Sequence, residues 1–402
     1  MGIDPISLND PSSNFTVDLN NTADYSQGSS GIIANLDTAK VLTPIYEITE
    51  QPKILAIGDS ITSGEHLVEP TPGAYRLQLQ NNFVADDLSV DFIGSQTNKE
   101  TNLNDAEHEG HPGWTTNELT ALLDEGLLTS HQPDIVLLMA GTNDILRSDK
   151  ASVVIDDLNQ LIDRLQAELP SVPILVSSIA PIDSARGKRR ANTVQEVNAQ
   201  LPELAEQQGE QVTYVNAGGS LDLDDLVSDG IHPSAAGYQE IGNAWYDALV
   251  QRDTLTGVNH ITGTAFSDRI TGNDQANILF GNGGADVLSG GEGADRFLYE
   301  NLDSETDTIA DFGVDDRFVF SASGFDGGLV AGTNLTEVAA ETGVFINSTN
   351  PYSVGTSANF LYENDTGILS FDSDGSGSIV ASKIAVLSNI PSLSEEQITI
   401  VA

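Results

Sequence analysis

The chain has 402 residues, 60 of them acidic against 16 basic, for a formal net charge of −44, and it contains no cysteine. A chain this acidic is repelled by nucleic acid and by anionic lipid surfaces. The missing cysteines exclude disulfides, thiol chemistry, Cys-type zinc and iron–sulfur clusters. Excess carboxylate beside 37 glycines points instead to cations, and to calcium loops in particular. The first basic residue is Lys40, so no positively charged N-terminal leader is expected. The longest apolar run, residues 135–140, has the length of a buried strand rather than a membrane span.

In chain order, residues 1–50 are rich in Ser, Asn and Asp and carry two weak apolar runs. Composition leaves open whether they are partly disordered or pack on a core. From 51 to 252 apolar strand-like runs alternate with helical stretches. Strands are expected at 53–58, 88–94, 134–140, 173–180 and 211–216, with helices at 73–86, 115–125, 151–169, 188–208 and 234–251. Near-continuous apolar strands such as Ile135-Val136-Leu137-Leu138-Met139 belong to a sheet covered on both faces. Strand–helix alternation implies α/β architecture with a parallel sheet, whose reactive residues should lie on loops past the carboxyl ends of the strands.

From Thr254 a period of nine begins: TLTGVNHIT, GTAFSDRIT, GNDQANILF, GNGGADVLS, GGEGADRFL. Position six is Asn259, Asp268, Asn277, Asp286 and Asp295, while position eight is Ile261, Ile270, Leu279, Leu288 and Phe297. A Gly-rich flexible linker would not hold an aliphatic or aromatic residue in phase through five units. The period is that of a calcium-binding parallel β-roll, in which glycines make the turns and the apolar residue stacks inward. This tail resembles the RTX (repeats-in-toxin) family. The resemblance implies a calcium-binding β-roll over 253–300, with Asp268, Asp286, Asp295 and the aligned Asn277 as its metal residues. It further implies that 301–402 form a β-rich cap carrying a signal for type I export, and that the protein is secreted. Asp372-Ser373-Asp374-Gly375 reads either as a further calcium loop or as an ordinary polar turn.

The candidate chemistry lies in the first domain, at 51–252. Gly58-Asp59-Ser60-Ile61-Thr62 puts a serine at the end of the first strand, and the G-x-S-x-G elbow occurs nowhere in the chain. A serine hydroxyl needs a base, and the base needs an orienting partner. Asp229-Gly230-Ile231-His232-Pro233, before the last helix, supplies both: Asp229 can reach Nδ1 of His232, whose Nε2 would face Ser60. Alone, a D-x-x-H pair is more often a solvated loop. Two further blocks change that judgement. Gly141-Thr142-Asn143-Asp144 presents a side-chain amide at the same sheet edge, and Gly110-His111-Pro112-Gly113-Trp114 offers a backbone N–H. Ser60, Gly113 and Asn143 are the donors an oxyanion hole requires.

These blocks, in this order, resemble the SGNH (GDSL-type) hydrolases over residues 53–250. HEGHPGW, GTND and DGIHPSAAGY, followed by Trp245 and Tyr246, are most similar to carbohydrate esterase family 3, the acetylxylan esterases. The resemblance implies a flavodoxin-like three-layer α/β/α domain and a two-step acyl transfer without a catalytic cofactor. Its substrate would be an acylated polysaccharide or a small ester. A lipase, arylesterase or thioesterase of the same class is the alternative, as is a non-catalytic calcium-dependent surface protein.

The remaining polar residues have plainer readings. His108 and His111, with Glu107 and Glu109 beside them, suggest a metal site less readily than hydrogen bonds that hold the loop. Arg186, Lys188, Arg189 and Arg190 form the basic cluster and fit helix capping or charge offset better than phosphate binding. Trp114 fits sugar stacking and packing beneath its loop equally well.

Overall fold

Three strands too apolar to tolerate a wet face, Lys53–Gly58, Ile135–Met139 and Ile174–Ser177, organise the α/β part of the chain. The computed structural model describes residues 21–45, 51–64, 71, 73–98, 103, 105–124, 126–148, 150–255, 257–302, 305–325, 327–332, 335 and 344–402. Its central strand, Lys53–Gly58, pairs in parallel with Ile135–Met139 on one side, followed outward by Ile174–Ser177 and Val212–Val215. On the other side Asp91–Ile93 pairs with its first half and Glu107–Gly110 with its second. A short antiparallel strand, Gln96–Thr97, completes that edge.

Strand alternation sends Leu55, Ile57, Val136, Leu138, Ile174 and Val176 into a core with Leu119, Val154 and Leu158. Ile54, Ala56, Leu137 and Leu175 are buried as well, so both faces of the sheet are covered. Helix Ala74–Ala85 packs against Ala235–Leu249, while Ala151–Glu168 packs against Thr116–Leu123 and Lys188–Asn198. Thr115 starts its helix with a capping box, exchanging hydrogen bonds with Glu118.

Three boundaries differ from the sequence expectation. The helix expected over 188–208 is two, Lys188–Asn198 and Leu201–Gln207, because Pro202 has no N–H to donate and is tolerated only in the first turn of a new helix. The helix expected to reach 251 ends at Leu249, and Val250–Thr254 is a strand paired antiparallel with Lys40–Pro44. Glu107–Gly110, read as part of a loop, is a strand; its EHEG sequence has no apolar alternation to announce it.

In the repeat region, successive units alternate between two sheets, so each strand pairs in parallel with the strand two units on. One sheet runs Thr22–Asp24, His260–Thr262, Ile278–Phe280, Arg296–Tyr299, Arg317–Ser321 and Ile398–Val401. The other includes Ile33–Asn35, Arg269–Thr271, Val287–Ser289, Asp307–Ile309 and Ser382–Leu387. The position-eight residues Ile261, Ile270, Leu279, Leu288 and Phe297 stack between them in one buried cluster.

Residues 22–44, undecided by composition, supply strands to these sheets. Ile32, Ala34, Leu36 and Val41 enter the same apolar cluster. Residues 1–20 and 46–50 lie outside the described ones. The chain thus forms two compact units: residues 21–45 cluster with 250–402, and 51–249 form the other.

Ile270 is fully buried in the stack. Ile270→Ala should cost about 2–5 kcal/mol of stability in the repeat unit, through lost burial and the cavity left behind. Calorimetry should show the transition of that unit falling while hydrolysis by the catalytic unit is unchanged; an unaltered melt would refute the packing described.

Candidate active site

The central strand can end where it does only because residue 58 has no side chain. A Cβ on Gly58 would collide with the carbonyl of Met139 and with Thr62 Oγ1. The chain then turns directly into the short helix Ser60–Ser63. Asp59 caps that helix by accepting Ile61 N–H at 2.9 Å, and Gly64 closes it in the left-handed conformation. Ser60 is therefore its first residue, at the carboxyl edge of the sheet.

Ser60 Oγ lies 2.8 Å from His232 Nε2, and His232 Nδ1 lies 2.6 Å from Asp229 Oδ2. The other oxygen of Asp229 accepts the backbone N–H groups of Ile231 and His232 at 2.8 and 2.9 Å. Burial pulls the Asp229 carboxyl up, but the hydrogen bonds from His232 and Ile231 outweigh it and hold the group below the ordinary carboxylate range. The loop is pinned from behind: Arg186 Nε donates to the Asp229 carbonyl, and Asp183 N–H donates to that of Gly230 at 2.9 Å. The basic cluster thus braces backbone here, since Arg190 Nη2 likewise donates to Leu146 O at 2.8 Å.

Gly113 has φ +84°, and no atom stands within 4 Å of where its Cβ would be. Arg147 fixes this peptide by donating to Gly113 O at 2.8 Å. Asn143, in the helix Thr142–Ser148, donates Nδ2 to Trp114 O at 2.9 Å and to Asp59 Oδ2 at 3.3 Å. The structure therefore joins Ser60, His232 and Asp229 by direct contact. Asn143 is held between the residue before the serine and the residue after Gly113.

The two histidines and Glu109, expected to hold the loop by hydrogen bonds, do so, with partners the sequence did not indicate. Glu109 is fully buried and accepts from Ser95 N–H at 2.6 Å, Ser95 Oγ at 2.8 Å and His111 Nε2 at 2.5 Å. The His111 ring stacks on Trp114 with centroids 4.0 Å apart. One face of Trp114 is thereby occupied, and its carbonyl positions Asn143. Asp144 accepts from Thr116 N–H and Oγ1, tying the GTND turn to the start of the next helix. His108 Nδ1 accepts Gly110 N–H at 3.0 Å, and burial drives the imidazole down to about 3. Among the described residues, the group close enough together to hold a metal ion is Asp91, Asp105 and Glu107, which includes neither histidine. An aspartate capping a helix and a glutamate two residues before a histidine were visible in the sequence; their burial was not. Trp245 and Tyr246 pack inward, beside Tyr75 and Phe83.

In the repeat unit, each position-six side chain folds back over the glycine that opens its own unit. A Cβ at Gly263, Gly272, Gly281 or Gly290 would collide with Asp268, Asn277, Asp286 or Asp295 respectively. The carboxylates also bridge turns: Ile32 N–H donates to Asp268 Oδ1, Asp268 N–H to Asp286 Oδ1 and Asp286 N–H to Asp307 Oδ1. Burial raises Asp268 to about 6 and Asp295 to about 7, and Asp295 Oδ2 has no hydrogen-bond partner. Buried oxygen donors with an orphaned carboxylate oxygen fit calcium, a hard cation that takes carboxylate and carbonyl oxygens. In the Asp372–Gly375 segment Asp372 accepts Asp374 N–H and Asp374 Oδ2 accepts Ser378 N–H, while Asp374 Oδ1 is buried without a hydrogen-bond partner.

The fold and the carboxyl edge of its sheet define a class, the parallel-sheet α/β domain of SGNH type. Residues 56–240 match the GDSL-like Lipase/Acylhydrolase family, and residues 253–297 match the RTX calcium-binding nonapeptide repeat. The chain thus joins a GDSL-type acylhydrolase domain to RTX repeats. A multidomain esterase of Ruminococcus flavefaciens is 26% identical over 49% of this chain and 28% of its own length. A putative endoglucanase X of Acetivibrio thermocellus is 32% identical over 30% of this chain and 51% of its own. The chain therefore spans about a quarter and about half of these relatives. A solved Clostridium thermocellum family 3 carbohydrate esterase is 32% identical, covering 49% of this chain and 94% of that one, with a TM-score of 0.43. No helix among the described residues is long and apolar enough to cross a membrane.

Two outcomes follow from this geometry. Asn143→Ala should lower kcat on ester substrates by roughly a hundred- to a thousandfold with KM little changed, as expected for a donor that acts on transition-state charge. A raised KM at constant kcat would make Asn143 a substrate-binding residue. Burial lifts the Asp59 carboxyl to about 6, against the Ile61 hydrogen bond and the nearby His232. The folded chain then holds that proton more tightly than the unfolded one, so the associated stability is present at low pH and is lost as pH rises from about 4 to about 6. Asp59→Asn retains a capping oxygen without the charge. Its Tm relative to wild type should climb across that window, whereas parallel pH profiles would refute the assignment.

Proposed function

We propose that the chain is a secreted serine esterase that removes short acyl groups, acetyl above all, from an acylated polysaccharide such as acetylated xylan. The observation that carries this reading is the hydrogen-bonded line from Ser60 through His232 to Asp229, with separations of 2.8 and 2.6 Å. In the reaction His232 Nε2 takes the Ser60 proton as Oγ attacks the ester carbonyl. The oxyanion is received by Ser60 N–H, Gly113 N–H and the Asn143 amide, and His232 then protonates the departing alcohol. Water, activated by the same imidazole, releases the acid. Asp229 holds the tautomer throughout.

Support for the substrate comes from the HEGHPGW, GTND and DGIHPSAAGY blocks and from the esterase and endoglucanase among the relatives. The RTX repeats support export by a type I apparatus, with calcium as a structural ion in the tail and no part in the chemistry. The test is a series of p-nitrophenyl esters from acetate to laurate, assayed with wild type and with Ser60→Ala. Rates should be highest for acetate and fall with chain length, and Ser60→Ala should lose at least about a thousandfold in kcat. A maximum at the long esters would move the reading to a lipase, and retained turnover in the variant would end the serine mechanism.

A further inference from the structure

At one edge of the roll the position-six residues Asn259, Asn277, Asp295 and Asp316 lie in register, each just before one of four parallel neighbouring strands. A fifth strand, Ile398–Val401, follows in the same sheet and is preceded by Gln397. Where this row carries a carboxylate, one oxygen accepts a backbone N–H from the step before: Asn277 N–H donates to Asp295 Oδ1 at 2.8 Å, and Asp295 N–H to Asp316 Oδ1 at 2.9 Å. The second oxygen of Asp316 accepts Gly313 N–H at 2.7 Å. That of Asp295 accepts nothing. The cause is local: Gly290 and Gly291, in its own turn, donate their N–H groups to Asp311 instead. The residue is 0% exposed, so this oxygen does not face bulk solvent.

The positions that flank Asp295 and Asp316 are closed by different chemistry. Asn277 is fully buried; its Oδ1 accepts Asn273 N–H at 2.8 Å, and its Nδ2 donates to Asn259 O at 3.2 Å and Asn273 Oδ1 at 3.3 Å. Gln397, also buried, donates Nε2 to Gly313 O at 3.0 Å and to Val314 O and Asp316 O at 3.3 Å. Backbone and side-chain oxygens converge on these two nitrogens as they would on a calcium ion, which gathers about six to eight such oxygens. A neutral amide satisfies them with its own protons. A carboxylate in the same place would face those oxygens charge to dipole and would require a cation between.

We propose that side-chain amides take the place of the cation on either side of the acidic stretch of this row, at Asn277 and at Gln397, and that calcium binds at Asp295, between them. The inference rests on the calcium reading of the repeats, and it withdraws Asn277 from the ligands that its position in the period suggested. It also makes the C-terminal closure of the roll independent of metal, since Gln397 joins the last strand to the 313–316 turn by hydrogen bonds alone.

The test counts bound calcium by isothermal titration of the full chain after chelator treatment, with melting followed in EDTA and in calcium. Asn277→Ala and Gln397→Ala should bind as many ions as wild type, and Asp295→Asn one fewer. Asn277→Asp and Gln397→Glu should melt below wild type in EDTA, recover in calcium and bind one additional ion each. An Asn277→Ala chain that loses an ion overturns the proposal, because the amide oxygen was then a ligand. Acidic variants without calcium-dependent recovery overturn it too, as does an unchanged count in Asp295→Asn. Should the alanine variants fail to fold, the acidic variants and Asp295→Asn still decide. A wild-type chain that binds no calcium overturns the calcium reading itself, which separates that failure from this one.

Discussion

The close approach of two strand ends is the constraint on which the catalytic unit depends. Gly58 lets the carboxyl end of Lys53–Gly58 lie against the Met139 carbonyl, and the same bare position admits Thr62 from the helix that follows. Because the turn between strand and helix is then immediate, Asp59 has no room to face solvent and becomes a buried cap. Its second oxygen meets Asn143, which begins from the end of the neighbouring strand. Ser60 and Asn143 are thus fixed to each other through Asp59 and the sheet, without help from a long loop. Preorganisation of this kind is what keeps a donor ready for charge that appears only during reaction.

A chain with a formal charge of −44 must also decide what to do with the carboxylates it buries. In the catalytic unit each is answered by hydrogen donors: Asp144 by Thr116, Glu109 by Ser95 and His111, Asp229 by His232 and two backbone amides. None requires Lys or Arg, which the composition scarcely supplies. The roll uses the same currency of backbone N–H groups between turns, but Asp295 is left with one oxygen that no proton reaches. The two units therefore differ in how far hydrogen donors satisfy the carboxylates they bury.

Much of this was legible in the sequence because the relevant signals are local. Apolar runs marked five of the seven strands that form the sheet, and the phase of nine marked the roll. Ser60, Gly113, Asn143, Asp229 and His232 stood out because small glycine-bearing blocks placed them at strand ends. What escaped was long-range or conformational. The EHEG strand has no apolar pattern and is a strand because Gly58 and Ile57 pair with it. Glu109 matters through Ser95 and Trp114, neither of which its neighbours in sequence reveal. Residues 22–44 have too little hydrophobicity to declare themselves, and their role appears only when Ile33–Asn35 is seen beside Arg269–Thr271. Asn277 departs from the aspartate of the repeat at position six, but what its amide does there is visible only in its hydrogen-bond partners.

The pairing of Lys40–Pro44 with Val250–Thr254 has a consequence for how the chain comes together. Pro44 stands opposite Val250, so the whole catalytic unit is, topologically, the loop of an antiparallel hairpin. Closing a loop of some two hundred flexible residues carries an entropic cost that grows as the logarithm of its length, and pairing so distant in sequence is slow. A segment that becomes compact holds its own two ends at a fixed separation, which lowers that cost. The meeting of these two strands therefore depends on how readily the long stretch of chain between them folds.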